Sequence, residues 1–289
     1  MKKNLFAALT LILTFNYSIG QDTLSSSLLW EISGDKVQSP AYLFGSMHMM
    51  PKEDFYFPES LSDKVKSSDV LVMEIGGISE QMKGMQLMML DSGNLYDYFT
   101  EPQLDTLFNY TEKHLDYTED QMRAMFGKMK PFVLLQLFSK ESFGENPESY
   151  ELTLEKIAKE SEIEVKGLET IEEQMGFIDN MSNEDQVEMI MSTMREGGTD
   201  NNEIEKLIEI YKGQDIEKIH QYITESELSS GKFEDNFLNN RNKDCIPSIR
   251  KIIKKKKAFI AVGAGHLGGP NGVLQLLRDA GYTVKPVKL

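Results

Sequence analysis

Short apolar runs stand near both ends of this chain, whereas helical periodicity fills its middle. Near each end, apolar or alternating residues bounded by Gly, Ser and Asp predict β-strands. The first two predicted strands flank a short polar link, which favours a hairpin. Because strands alternate with helices at both ends, the pattern predicts an α/β sheet. The predicted strands cover residues 27–32, 41–44, 69–75, 162–165 (closed by Gly167), 258–262 and 282–287.

The middle of the chain, about residues 80–240, predicts a helical insertion or cap on one side of that sheet. Thr118 with Gln121 matches a capping box at a helix start, and Pro131 suits the first turn of the next helix. In the last long helix of this region, Pro247 marks a candidate break. Gly281 is the expected C-terminal stop of a final helix. Helical periodicity covers residues 152–160, 171–181, 185–194, 204–211, 216–223, 236–253 and 272–280.

The first twenty residues have the pattern of an export signal. Lys2 and Lys3 precede an apolar run from Leu5 to Phe15, and small residues follow up to Gly20. The run is too short for a membrane span, and no later run reaches the necessary length. We therefore expect residues 1–20 to be a signal peptide, 21–289 to be one domain, and the protein to be periplasmic or secreted. An uncleaved anchor helix is the alternative.

Composition and charge exclude several classes of protein. The chain has 289 residues, 40% of them hydrophobic, with 31 Lys and Arg against 46 Asp and Glu and a net charge of −15. These values are typical of a globular protein, and the acidic balance argues against nucleic-acid binding. Cys245 is the only cysteine, so no internal disulfide can form.

The chemical signal lies in two segments with the pattern Gly-x-x-His. Residues 45–48 and 263–266 each follow an apolar predicted strand. Ligands bind at the carboxyl edge of an α/β sheet, where glycine lets the chain leave its strand and an imidazole can bind a metal or move a proton. The other two histidines, His114 and His220, lie in polar helical stretches and are expected at the surface.

A metal centre needs more than two imidazoles, and Glu74 is the carboxylate candidate. It lies near the end of the third predicted strand, where an unpaired acid would be costly. We expect His48, Glu74 and His266 to hold one divalent ion, with Mn, Co and Zn as candidates. The alternative is that Glu74 pairs with an arginine or caps a helix.

With these motifs, residues 167–170, Gln174 and the Arg241-Asn242 pair resemble the TraB/GumN family, which includes the Tiki-type extracellular metalloproteases. The most specific part is residues 262–269, and the resemblance extends over about 28–287. It implies an α/β core of two related halves around one cleft. In the members with demonstrated activity, it also implies a divalent-metal hydrolase site. Glu151 stands where we would expect Asp, which puts a contribution of that position to the site in question.

The resemblance also implies roles for two further residues. Glu169 is the candidate general base or a fourth metal ligand, and Arg241 could clamp a substrate carboxylate or an oxyanion. Glu169 could instead be an acid at a helix N-terminus, and Arg241 a buried partner of Glu74 or Glu169. The expected function is an exported divalent-metal-dependent hydrolase that cleaves a peptide or protein substrate. The alternative is a protein that binds a metal, a haem or a peptide in the same cleft without turnover.

Overall fold

A computed structural model describes residues 27–195, 201–225 and 238–289, apart from 142 and 145. The expected signal peptide, residues 1–20, lies outside the described residues. Within the described ranges, no helix combines the length and apolar character needed to cross a membrane.

Six strands form one mixed sheet in the order β4-β3-β5-β2-β1-β6. The pairs β2–β5, β3–β5 and β3–β4 are parallel, whereas β1 pairs antiparallel with both β2 and β6. The predicted α/β class and the N-terminal hairpin are therefore confirmed. The strands are β1 (Leu29–Ser33), β2 (Ala41–Ser46), β3 (Val70–Ile75), β4 (Glu164–Glu169), β5 (Ala258–Gly263) and β6 (Thr283–Val287).

Strand register brings the two Gly-x-x-His segments together. In the parallel pair β2–β5, Gly45 lies opposite Val262 and Ser46 lies opposite Gly263. Both segments therefore leave the sheet at the same carboxyl edge, one residue apart in register. On the other side of β5, strands β3 and β4 end at the same edge, with Ile75 opposite Glu169.

Helices α2 to α11, together with β4, lie between β3 and β5 in the chain. The helices are α1 (Glu59–Lys66), α2 (Gly77–Leu87), α3 (Glu101–Leu115), α4 (Glu119–Phe126), α5 (Phe132–Glu141), α6 (Tyr150–Glu160), α7 (Ile171–Asp179), α8 (Asn183–Arg195), α9 (Asn201–Lys212), α10 (Ile216–Glu225), α11 (Asn240–Ile253) and α12 (Val273–Asp279). Short 3₁₀ turns cover Leu95–Tyr98 and Ala264–His266. The capping box at Thr118 is present, and Gly281 has the positive φ expected after the last helix.

Two local predictions were wrong. Helix α11 continues through Pro247, because Ile246, Ile249 and Ile253 are buried and hold it against the core. Strand β4 does not close at Gly167 but extends to Glu169, since its pairing with β3 continues past the glycine. A Cβ at Gly167 would lie 2.8 Å from the backbone nitrogen of Gly76, so the close approach of two chain segments requires glycine within this strand.

The buried apolar residues form two main clusters. The larger surrounds the sheet, with β5 fully buried between β2 and β3 and the side chains of Trp30 and Phe259 excluded from solvent. The second lies within the helical middle and joins α3, α4, α5 and α8 with the 3₁₀ turn at Leu95–Tyr98. The candidate site residues belong to the first region, where the parallel strands end.

Candidate functional site

The first histidine, His48, lies just beyond β2 and is held by a carboxylate from α6. Its Nδ1 atom is 3.0 Å from Oε1 of Glu151. A carboxylate only accepts hydrogen bonds when ionised, so Nδ1 donates and Nε2 is left for other contacts. The side chain of His48 is 67% exposed, which places this Nε2 near solvent. The hydrogen bond and charge of Glu151 raise the pKa of His48.

Two serines fix the orientation of Glu151. The Ser46 hydroxyl donates to Oε1 at 2.6 Å, and the Ser149 hydroxyl contacts Oε2 at 3.2 Å. Burial opposes ionisation of Glu151, but its bonds to His48 and Ser46 outweigh burial and lower its pKa. Glu151 is therefore an ionised, pre-oriented partner of His48.

The second histidine, His266, is buried in the 3₁₀ turn after β5. Its Nδ1 atom is 2.7 Å from the amide oxygen of Asn242. The amide nitrogen of Asn242 donates to the carbonyl of Asn271, which assigns the oxygen to the imidazole side. Nδ1 therefore donates, and Nε2 carries a lone pair that faces Glu74 and Arg241. Burial lowers the pKa of His266 to about 4, so the ring is neutral near pH 7.

Glu74 connects the ends of β3 and β5. Its Oε1 accepts the backbone N–H of Gly263 at 2.6 Å and lies 3.7 Å from Nε2 of His266. Its Oε2 accepts a hydrogen bond from Arg241 at 2.6 Å. Burial opposes its ionisation, but the charge of Arg241 and the hydrogen bond from the Gly263 N–H hold its pKa well below the usual range. Glu74 is thus a buried carboxylate anion between two strand ends.

Arg241, in the first turn of α11, lies between two acids. It donates to Glu74 and, through Nε at 3.1 Å and through Nη2, to both oxygens of Glu169. Its Nη1 is 3.4 Å from Nε2 of His266. Arg241 is thus a buried partner of both Glu74 and Glu169, and its side chain is only 12% exposed.

Glu169 differs from Glu74 although the same arginine contacts both. Burial and the neighbouring charge of Glu74 raise the pKa of Glu169, and its bonds to Arg241 offset this only in part. The amide of Gln174 also donates to it at 3.3 Å. Of the two acids, Glu169 is therefore the one that takes a proton more readily.

The site opens through two recesses that share Glu74. One, of about 240 Å³, is lined by Glu169, Arg241, Asn242, Cys245 and His266 among others. The other, of about 270 Å³, is lined by His48, Glu151, Leu152 and Gln174 among others. A bound molecule could therefore contact both imidazoles across the Glu74 carboxylate.

The structure brings Glu74, Glu169, Arg241 and His266 into one hydrogen-bonded cluster. His48 lies at the adjoining recess and is bonded to Glu151 rather than to that cluster. The sequence left a contribution of Glu151 to the site in question, and Glu151 directly precedes the helix predicted over 152–160. Three further residues were not predicted as site residues: Ser46, Ser149 and Asn242 (noted only as following the arginine).

The other two histidines differ in their exposure to solvent. His114 is exposed, as expected, and stacks on Tyr110. His220 was expected at the surface but is half-buried, because α10 packs it against the backbone of Gly268 and Gly269.

Comparison with known proteins identifies the family of the chain. The model of the TraB/PrgY/gumN family matches residues 28–286, which include both Gly-x-x-His segments and all of the sheet except Val287. Searches of curated proteins and of solved structures found no match. Because the family match extends over nearly all described residues, the chain belongs to the TraB/PrgY/gumN family.

Proposed function

We propose that this protein is an exported, divalent-metal-dependent hydrolase that cleaves peptide bonds at the carboxyl edge of its sheet. The observation that carries the proposal is that both imidazoles are fixed in the same way. Each donates its Nδ1 proton to a fixed oxygen, of Glu151 or of Asn242, and Nε2 of His266 lies 3.7 Å from Oε1 of Glu74 and 3.4 Å from Nη1 of Arg241. Histidines that bind metals are commonly oriented by such an acceptor on the second nitrogen.

The donors fit a divalent cation in their chemistry and charge. Among the described residues, no three His, Cys, Asp or Glu side chains converge on one point. Three carboxylates, of Glu74, Glu151 and Glu169, face one guanidinium, so negative charge is in excess even when His48 holds a proton. His48, Glu74 and His266 would hold the ion, in line with the two-imidazole, one-carboxylate sets that several divalent metals accept. Such an ion would supply electrophilic activation of a carbonyl group and of water.

The chain's own residues supply the other parts of a hydrolytic site. Glu169, whose pKa is raised by burial, suits a group that accepts a proton during the reaction. Arg241 presents a fixed guanidinium beside Glu74 and His266, where it could bind a carboxylate or a developing oxyanion. Export is supported by the N-terminal sequence pattern, and a peptide substrate by the family's metalloprotease members.

A second candidate function is binding without turnover. Arg241 already pairs with both Glu74 and Glu169, so each of these buried carboxylates has a cationic partner within the protein itself. A ligand could then occupy the recesses without any proton transfer.

Metal content and metal-dependent thermal stability test the proposal. We expect about one equivalent of a divalent ion in the purified protein, and its loss in the double variant His48→Ala/His266→Ala. His114→Ala is the matched control, because His114 is exposed and lines neither recess. Equal metal content in all three proteins, or no stabilisation by any of Mn, Co and Zn, would contradict the metal centre.

A second comparison separates a hydrolase from a binding protein. Glu169→Gln should retain the metal but lose cleavage of peptides in a screen with each ion. Glu173→Gln, in the same recess, is the control and should keep both. Retention of metal and turnover in Glu169→Gln would remove Glu169 as the base, and metal binding without turnover in wild type would favour the binding function.

A further inference from the structure

A second, apolar cavity of about 250 Å³ lies at the same edge of the sheet, beside the first motif. It is separate from the two recesses around Glu74. Its apolar wall residues are almost fully buried, and the cavity is open to solvent on one side. These walls include Leu28, Phe44, Met50, Leu61, Tyr150 and Tyr211.

The tyrosines in the wall have no free hydroxyl to offer a ligand. The Tyr211 hydroxyl donates to the carbonyl of Gly45 at 2.9 Å, and the Tyr150 hydroxyl donates to the carbonyl of Tyr56 at 2.9 Å. What these residues add to the cavity is therefore ring surface. An apolar cavity of roughly 150 Å³ already holds benzene in a protein core, so this one has room for an aromatic ring and its linking carbons.

The same two tyrosines connect the cavity to His48. Tyr211 holds the carbonyl of Gly45, the first residue of the motif that ends at His48. Tyr150 directly precedes Glu151, whose carboxylate binds His48. A group bound in the cavity would therefore contact both tyrosines, which are linked to His48 through Gly45 and Glu151.

The cavity has a polar mouth. Lys212 and Asp54 form an ion pair of 2.6 Å in its lining, and the Lys212 side chain is 55% exposed. Tyr56, at the same mouth, is 61% exposed. A polar entrance with an apolar interior suits a side chain that is carried on a polar main chain.

We propose that this cavity is a subsite for one aromatic or large aliphatic side chain of the substrate, an inference that rests on the hydrolytic function proposed for the neighbouring site. The substrate would place that side chain between Phe44 and Tyr211, with its main chain passing His48. Such a subsite would give the enzyme a preference for bulky apolar residues near the bond that is cleaved.

Binding of indole to the purified, metal-free protein tests the subsite without requiring turnover. We expect ligand-observed NMR to detect binding to wild type, and Leu61→Trp, which fills the cavity, to weaken it at least tenfold. Met85→Trp adds the same bulk at an exposed position and should bind as wild type does. Leu61→Phe fills less of the cavity and gives an intermediate test if Leu61→Trp does not fold, as judged by circular dichroism.

The imidazole signals show whether the cavity communicates with the site. Indole should shift the His48 signal, identified by its loss in His48→Ala, and leave the exposed His114 signal unchanged. No binding to wild type, or equal binding to the filled variants, would overturn the cavity as a binding site. Binding that leaves the His48 signal in place would overturn its role as a substrate subsite. Indole binding in a protein that takes up no metal would instead contradict the proposed metal-dependent hydrolase and leave the cavity as a binding site.

Discussion

His48 and His266 end the same four-residue pattern at the same sheet edge, yet one side chain is 67% exposed and the other 11%. The partner of His48 is a carboxylate, which raises its pKa, whereas the partner of His266 is a neutral amide within a buried cluster. The pKa of His266 falls to about 4 as a result. The comparison teaches that the repeated motif sets where an imidazole stands, while neighbours from other elements set its proton affinity.

This difference has a chemical use. Two titratable groups whose surroundings push their pKa values apart can serve as acid and base at one pH. His48 holds a proton at neutral pH and His266 does not. For any metal between them, the ion would compete with the proton on His48, so metal affinity should increase with pH.

The largest loss of stability should come from removing Arg241 from the buried cluster that includes His266. Arg241→Met leaves Glu74 and Glu169 without their shared cation, and removal of one partner from a buried ion pair costs about 3–5 kcal/mol. Urea unfolding would measure this loss. The free energy of unfolding of Arg241→Lys should lie between those of Arg241→Met and wild type, because lysine keeps the charge but not the planar guanidinium.

Lys83→Met is the control for that experiment, because Lys83 pairs with Glu80 on the exposed surface of α2. Its effect on stability should be much smaller. Equal losses in Arg241→Met and Lys83→Met would mean that the buried cluster contributes no more than a surface pair.

The next effect concerns the pH dependence of stability. His266 has a folded-state pKa of about 4, below its ordinary value of 6.5, so the unfolded chain takes up this proton first as pH falls. Stability should therefore decrease between about pH 6.5 and 4, by up to about 3 kcal/mol from this residue. Urea unfolding of wild type and His266→Gln across this range would show it as a difference in slope.

His48 should contribute to the pH dependence of stability with the opposite sign. Its pKa is raised in the folded state, so its contribution is complete below about pH 6.5 and is lost as pH rises through the raised value. His48→Gln should remove that decline and leave the acid limb unchanged. If both variants alter the same limb, the two histidines are not in opposite surroundings.

Alanine at the two motif glycines should destabilise the protein to different extents, because Gly45 is packed more tightly than Gly263. A Cβ at Gly45 would lie 2.6 Å from Cδ1 of buried Leu267 and 3.1 Å from Cα of Ala264, so Gly45→Ala should cost about 1–3 kcal/mol. At Gly263 the nearest atom would be Oε1 of Glu74 at 3.3 Å, and the loss should stay below about 1 kcal/mol. Thermal unfolding of the two variants compares them directly, and a larger loss at Gly263 would reverse the expected order.

The smallest change in stability, and a clear change in titration, should follow from Glu151→Gln. The exposed pair with His48 contributes less than about 1 kcal/mol, but without the charge the pKa of His48 should return towards its ordinary value. Histidine NMR would follow the titration, with Glu151→Asp as the variant that keeps the charge. The pKa of His266 should not move, and a shift there would show that the two halves titrate together.

Much of the fold could be predicted because strands and their ends carry strong local patterns. The runs at 41–44 and 258–262 lie in the neighbouring parallel strands β2 and β5, and the two glycines marked where each leaves the sheet. Pro247 and Gly167 misled the prediction, since each is locally unsuited to its element and is held there by tertiary packing or by a close backbone approach.

The residues of the cluster around Glu74 could be named from the sequence, but their hydrogen-bond partners could not. Glu74, Glu169 and Arg241 were recognisable as site candidates, yet no local pattern shows that one arginine contacts both acids. Asn242 and Glu151 orient the imidazoles from helices that are 24 and 103 residues away from them in the chain. Such contacts arise only when separate elements pack, so spacing along the sequence could not reveal them.

The pairing of β2 with β5 also constrains the order in which this protein can assemble. Residues 46 and 263 are paired neighbours in the sheet, and β1, near the start of the chain, lies between β2 and β6, near its end. During synthesis β5 must therefore emerge before the first motif can find its parallel neighbour. Contacts of such long sequence separation form late and slowly. The cluster around Glu74 thus requires residues up to 266, and shorter nascent fragments lack it.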